Sequence, residues 1–328
     1  MTAPGTGPLT LAKALNEGLR KAMEDDPKVL IMGEDVGKLG GVFRVTDGLQ
    51  KDFGEDRVID TPLAESGIIG TAVGLAIRGY RPVCEIQFDG FVFPGFDQIV
   101  SQVAKMYNRS AGLVKMPITI RIPFGGGIGA VEHHSESPEA YFAHTAGLKV
   151  VACSNPSDAY WMIQQSIASD DPIVFFEPKR RYHAGKSEIA AEPSPLHRAR
   201  VVRSGTHATL LAYGPMVATA MESAAAAKED GIDLEVIDLR TISPLDMPTV
   251  LESVRRTGRL VVVHEGPRSF GVGAEIATRV QEEAFYSLEA PVLRVTGFDT
   301  PYPPSRLENE WLPNIDRILD AVDKSLGY

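Results

Sequence analysis

The chain has 328 residues, 44% of them hydrophobic and 23% charged, with a formal net charge of −10. That balance is ordinary for a globular protein, and the acidity excludes nucleic acid as a partner, because binding a phosphate backbone takes a surplus of lysine and arginine. No apolar run approaches the roughly 20 residues of a membrane span, so no membrane is expected either.

In chain order, residues 1–8 lack the basic start and apolar core of a signal peptide. Leu11, Leu15, Leu19 and Met23 recur at helical spacing, ahead of a strand over 28–32. A glycine-rich loop over 33–41 leads to a predicted helix over 43–53. Val58 and Ile59 end a strand, after which Thr61 as N-cap and Pro62 at the first position predict a helix. That helix is rich in small residues, and Gly67, Gly70 and Gly74 share roughly one face, where another backbone could approach. Its single first-turn acid, Glu65, reads either as a surface carboxylate favoured by the helix dipole or as a buried acid at a close interface. A carboxyl taken out of water can exchange protons near neutrality; spacing alone leaves both readings open.

Strands follow over 82–88, 118–122, 149–153 and 173–176, with predicted helices over 96–110 and after Asn155-Pro156-Ser157-Asp158. Short apolar strands alternating with helices imply a parallel sheet covered on both faces. From 186 to 204 the chain turns polar and proline-bearing, as a linker or a strap over a surface would. The alternation restarts over 205–328, closing on an amphipathic helix over 312–326. The expected organisation is therefore a domain over 1–185, a linker over 186–204 and a smaller α/β domain over 205–328. Cys84 and Cys153, each inside an apolar run, read as buried thiols of a reducing compartment, and the expected location is cytoplasmic.

The glycines of 124–130 follow a strand but lack the third glycine and the apolar helix of a dinucleotide fingerprint. They suit a loop bending across a ligand or partner better than a phosphate cradle. His133 and His134 come next, with His144 close behind. Adjacent histidines point in different directions, which argues against a zinc site. One of them acting as a proton donor or anion contact fits loops at strand ends, although ordinary loop histidines would look the same. His264, ending a strand, is a weaker candidate. No nucleophile elbow or cysteine–histidine arrangement is present.

Thr61-Pro-Leu-Ala-Glu-Ser-Gly-Ile, Cys84-Glu-Ile-Gln-Phe, Phe93-Pro-Gly-Phe-Asp-Gln-Ile, His134-Ser-Glu-Ser-Pro-Glu-Ala-Tyr-Phe-Ala-His and Val174-Phe-Phe-Glu-Pro-Lys together resemble one family. They are similar to the E1 β subunits of 2-oxo acid dehydrogenase complexes, transketolase-like thiamine diphosphate enzymes, and most like the branched-chain members. The resemblance implies two doubly wound α/β domains, one of the pyrimidine-binding transketolase type and a smaller one of the transketolase C-terminal type. It implies that Glu65 bonds the cofactor's pyrimidine N1′, that Leu63 and Gln87 lie near the pyrimidine, and that His134 assists acyl transfer to a lipoyl arm. Phe91 stands where branched-chain relatives often carry tyrosine. Some relatives bind potassium near positions matching Ile118, Thr119, Ser166, Ser169 and Asp171.

The Gly-Asp-Gly…Asn signature that holds magnesium and diphosphate in this class is missing from the sequence. The resemblance therefore implies an α subunit supplying the magnesium side, an α2β2 heterotetramer and a lipoyl-bearing E2 acyltransferase as a further partner. A pyruvate or acetoin dehydrogenase β subunit is the alternative enzyme, and a regulatory or scaffolding subunit the alternative without catalysis.

Overall fold

A computed structural model describes residues 7–328; of the stretch 1–8, read above as lacking the features of a signal peptide, residues 1–6 lie outside the described residues. The chain divides into two compact units, one running to Phe124 and resuming over Tyr141–Leu196, the other comprising Gly125–Ala140 and His197–Tyr328.

The first unit is built on parallel strands β1 (Val29–Gly33), β2 (Val58–Asp60), β3 (Arg81–Glu85), β4 (Thr119–Phe124), β5 (Lys149–Ala152) and β6 (Ile173–Pro178), in the spatial order β5-β6-β4-β3-β1-β2. Nearly every residue of β1, β3, β4, β5 and β6 is buried, as a parallel sheet covered on both faces requires. The Cys84 thiol, at the centre of this sheet, is pushed up to about 12 by burial alone, and neither cysteine is bonded to another.

Helix α1 (Leu11–Asp25) is capped by Thr10, whose side chain accepts from the Lys13 backbone N–H. The predicted stripe Leu11, Leu15, Leu19 and Met23 is buried. Gly18 lets α1 approach α6 (Pro156–Ala168) closely, since a Cβ there would lie 2.8 Å from the Tyr160 carbonyl oxygen. Asn155 caps α6, with Pro156 opening it. Residues 187–194 form the strap: Trp161 Nε1 donates to the Ala190 carbonyl at 2.9 Å and Gln165 Nε2 to that of Ser194 at 3.1 Å.

Two predicted helices come out shorter. Residues 43–48 form turns, with Arg44 and Gly48 both at positive φ, which leaves only α2 (Leu49–Phe53) helical. The helix expected over 96–110 follows a 3₁₀ turn (Asp89–Gly95) and divides into a π-helical stretch (Gln98–Val103) and α4 (Met106–Arg109). The break falls at Ala104, whose N–H reaches back to the Ile99 carbonyl. Its own carbonyl is pressed by Gly147, where a Cβ would come within 2.0 Å. The α3 helix spans Glu65–Ile77, and α5 spans Glu139–Ala143.

In the second unit, β7 (Arg200–Arg203), β8 (Ala208–Ala212), β9 (Leu234–Asp238), β11 (Leu260–Val263) and β12 (Leu293–Val295) lie in the order β12-β11-β8-β9-β7. All neighbours are parallel except β7 with β9. A short strand, β10 (Thr241–Ser243), follows β9. Helices α7 (Met216–Glu229) and α11 (Ile315–Leu326) close a core with β8, β9 and β11. Helices α8 (Met247–Thr257), α9 (Val272–Ala284) and the short α10 (Glu308–Trp311) complete the unit. Among the described residues no helix is long and apolar enough to cross a membrane.

Candidate active site

In the first unit the strand order reverses at β1, which has β2 on one side and β3 on the other. Open parallel sheets bind ligands at the carboxyl ends of their strands at such a point. Glu34 follows β1, Asp60 ends β2 and Glu85 ends β3, so three acids mark this edge.

The entry to α3 differs from the capped start expected of Thr61 and Pro62. The Thr61 N–H donates to the Gly33 carbonyl at 2.9 Å, and residues 61–64 stay outside the helix. The helix begins only at Glu65, behind Ala64, with no side-chain cap. That delay puts Glu65 in the first turn, 5% exposed, although Leu63 just before it is 75% exposed. The buried reading of Glu65 is therefore the one the structure realises. Gly95 packs on it: a Cβ at Gly95 would lie 3.3 Å from the Glu65 carbonyl oxygen.

Sequence reasoning passed over Glu34, which lay inside a stretch read as a flexible loop. Its carboxyl is held above the ordinary carboxylate value by burial, and further by the neighbouring Glu65 and Asp35. Among the described residues, Glu34 Oε1 and Thr61 Oγ1 are buried and have no hydrogen-bond partner. Buried polar atoms in native folds are nearly always satisfied, so these two orphans point to a polar ligand at this strand edge. Gln87 is half-buried and donates from Nε2 to Asp35 Oδ2 at 3.2 Å. Phe91 meets Phe88 edge-on at 5.9 Å, and Phe88 meets Phe43 at 5.3 Å. This aromatic segment is pinned by a fully buried ion pair between Lys179 and Asp89.

Glu65, Leu63, Gln87 and Phe91 thus belong to the first unit, whereas His133 and His134 belong to the second. His134 ends a 3₁₀ turn (Glu132–His134) and is half-buried; its ring meets that of His133 edge-on at 4.4 Å. His133 is exposed, 3.5 Å from the Glu132 carboxylate. His144 is exposed on the first unit. His264 is fully buried and depressed to about 4, first by desolvation and then by Arg294. Its Nε2 accepts from the Gly273 N–H at 3.2 Å, so this ring is a neutral structural acceptor.

In the glycine loop preceding the histidines, three peptide N–H groups donate to the chain's own carboxylates. Gly126 N–H donates to Glu265 Oε2 at 2.9 Å, Gly127 N–H to Glu308 Oε1 at 2.8 Å and Gly129 N–H to Glu308 Oε2 at 3.0 Å. Nothing local could have revealed these partners, which lie more than 100 positions downstream.

At the positions matched to potassium, Ser166 donates to the Met162 carbonyl at 2.7 Å and the Asp171 carboxylate pairs with Lys149 at 2.7 Å. The Ser169 hydroxyl accepts from the Asp171 N–H, and the Ile118 carbonyl accepts from the Ile173 N–H ahead of buried Thr119. The one carboxylate there is already neutralised by a lysine. Among the described residues no three His, Cys, Asp or Glu side chains gather to hold a metal ion.

Residues 7–184 match the transketolase pyrimidine-binding domain and residues 197–318 the transketolase C-terminal domain. A pyruvate dehydrogenase E1 component subunit beta of Leifsonia xyli subsp. xyli is 64% identical, across 99% of this chain and 97% of that protein. A 3-methyl-2-oxobutanoate dehydrogenase subunit beta of Mycobacterium tuberculosis is 58% identical, across 98% and 93%. A solved split-gene transketolase, described as an inactive beta4 tetramer, superposes with a TM-score of 0.82 over 98% of this chain and 99% of its own, at 21% identity, which speaks to fold alone. Two transketolase-type α/β domains in this order, and whole-chain identity to such subunits, make this chain a member of the 2-oxo acid dehydrogenase E1 β-subunit family.

Proposed function

We propose that the chain is the pyrimidine-side subunit of a thiamine diphosphate-dependent E1 that decarboxylates a branched-chain 2-oxo acid and passes the acyl group to the lipoyl arm of an E2 acyltransferase. The observation that carries this reading is the buried Glu65 carboxyl at the first turn of α3, with the unsatisfied oxygens of Glu34 and Thr61 on the same strand edge. A pyrimidine with its ring nitrogens and amino group fits that set. A diphosphate with magnesium does not: the chain lacks the signature for it. An α subunit in an α2β2 assembly would supply that half, and the exposed glycine face of α3 would meet it.

When bound, thiamine diphosphate supplies a carbon nucleophile and an electron sink for decarboxylation. In this proposal Glu65 holds and shares a proton at the pyrimidine N1′, a task for a carboxyl that can exchange protons in a site shut off from water. Leu63 and Gln87 border the ring, and Phe91 extends the aromatic wall formed with Phe88 and Phe43 toward an apolar acyl chain. His134 serves the acyl transfer to the lipoyl group. The complex is proposed to be cytoplasmic.

The branched-chain assignment rests on the aromatic segment Phe88–Phe96 and on the Mycobacterium tuberculosis relative. Pyruvate is the second reading, favoured by the Leifsonia relative. Decarboxylation of 3-methyl-2-oxobutanoate and pyruvate, by the chain alone and co-purified with its α subunit, tests both. Activity confined to the complex with preference for the branched acid supports the proposal. Preference for pyruvate replaces the substrate, and activity of the isolated chain removes the shared site.

A further inference from the structure

The loop that carries His134 is held by a set of side chains that the proposed reaction does not use. Both oxygens of the Glu308 carboxylate accept peptide N–H groups, from Gly127 at 2.8 Å and Gly129 at 3.0 Å. Tyr302 donates its hydroxyl to the same carboxylate at 2.5 Å. Glu265 takes the N–H of Gly126 at 2.9 Å. Glu265, Tyr302 and Glu308 are all buried. Hydrogen bonds from peptide N–H groups to a carboxylate are short and strong relative to neutral ones, and Gly126, Gly127 and Gly129 are fixed by them.

The fit admits no side chain. A Cβ at Gly126 would lie 2.0 Å from the Tyr302 hydroxyl oxygen, and one at Gly125, which has φ +83°, would lie 2.7 Å from Glu265 Oε2. A nest of N–H groups that could have cradled a phosphate is thus filled by carboxylates from 265 and 308. The far end of the segment is tied as well, because Tyr213 donates to Glu139 Oε1 at 2.6 Å and Gly125 N–H to the Glu136 carbonyl at 2.9 Å. Between these anchors lies the turn Glu132–His134.

We infer that Glu308, with Tyr302 and Glu265, is the positioning set for the histidine loop, so that the C-terminal half of the chain determines the rate of acyl transfer through peptide hydrogen bonds. The inference rests on the proposed role of His134. Glu308 touches no substrate in this scheme; it acts by restricting where the His134 ring can stand. Misplacing a reacting group by about 1 Å can cost on the order of 100-fold in rate, and a freed glycine loop permits displacements of that size.

The experiment uses the assembled E1 with its α subunit. It compares dye-coupled decarboxylation with acyl transfer to a lipoyl domain, and follows hydrogen–deuterium exchange of the peptide covering 124–135. Glu308→Ala is expected to lower transfer relative to decarboxylation by at least about tenfold and to speed exchange in that peptide. Tyr302→Phe, which removes a single hydroxyl, should do the same more weakly and carries the test if Glu308→Ala does not fold. Glu308→Gln, retaining one carbonyl acceptor, should recover part of the transfer rate. An unchanged ratio, or exchange equal to that of the parent, overturns the inference. His134→Ala run in parallel separates the two ideas. If it leaves the ratio intact while Glu308→Ala lowers it, the histidine loses its role and the loop keeps its own. If only His134→Ala lowers it, the loop anchor falls alone.

Discussion

Arg121 donates from Nε and Nη2 to the two carboxylate oxygens of Glu177, at 2.6 and 2.8 Å, with both side chains fully buried. Its Nη1 reaches Glu85 Oε2 at 2.6 Å, and Tyr182 donates to Glu177 Oε2 at 2.5 Å. Burial pushes the Glu85 carboxyl up against the opposing pull of Arg121. The guanidinium therefore ties β3, β4 and β6 together behind the strand edge that carries the site.

Arg121→Ala leaves two buried acids without their counter-charge, a change that costs about 3–5 kcal/mol in comparable buried pairs. We expect a large fall in the urea midpoint of the chain. Arg121→Met should be less harmful when combined with Glu85→Gln and Glu177→Gln, since removing all the charges together removes the desolvation that one alone leaves exposed. Equal midpoints for the parent and Arg121→Ala would mean that the cluster adds nothing to the fold.

Glu65→Gln keeps size and hydrogen-bonding shape but cannot move a proton. In the complex with the α subunit it should lower decarboxylation by about 10²–10⁴-fold, the usual range for a lost acid–base group, while the assembly still forms and still binds cofactor. The measurement pairs the turnover rate with a calorimetric titration of thiamine diphosphate. Full activity would return the chain to the role of a scaffolding subunit.

Glu34 supplies a pH dependence. Its folded pKa lies above the ordinary 4.5 because the site is buried and faces Glu65 and Asp35. The folded chain then holds a proton that the unfolded chain has released, so this contribution to stability is complete below about pH 4.5 and is lost as pH rises through the folded value. Glu34→Gln removes the loss. Urea midpoints measured from pH 4 to 8 should show the variant gaining on the parent as pH rises. A constant difference across that range would remove the titration from Glu34.

The open side of α3 separates fold from assembly. A Cβ at Gly74 would meet no atom within 4 Å in this chain, so Gly74→Ala should stabilise the isolated protein by up to about 1 kcal/mol through helix propensity. If that face meets a partner subunit closely, the same change should weaken association, read by sedimentation of the mixed subunits. Stabilisation with undiminished association would assign the glycines to something other than contact.

How much of this was legible beforehand depended on how far apart the interacting residues lie. The sheet-forming runs and the helix start at Asn155 are local signals, and they fold as read. The start of α3 was misread because Thr61 and Pro62 form a good local cap, while the Gly33 carbonyl, a non-local partner, captures the Thr61 N–H first. The helix over 43–53 begins only at Leu49 for a local reason that was visible, the glycine at 48 that folds with left-handed φ. Glu65 could be singled out from its apolar neighbours, yet its burial needed Gly95 packed against it. Glu34 and Glu308 carried no pattern at all: one is defined by strand order and the other by a contact 181 positions away.

The passage of residues 125–140 into the second unit has a consequence for gene dissection. A chimera joined at the polar stretch near 196, the obvious place to exchange halves with a relative, would bring in a foreign Glu265, Tyr302 and Glu308 to serve a resident glycine loop. Such hybrids should inherit the parental transfer rate only when all three of those positions and the loop come from one parent. Exchange of the segment after 196 alone should then lower transfer, at a joint that the linear order of the domains conceals.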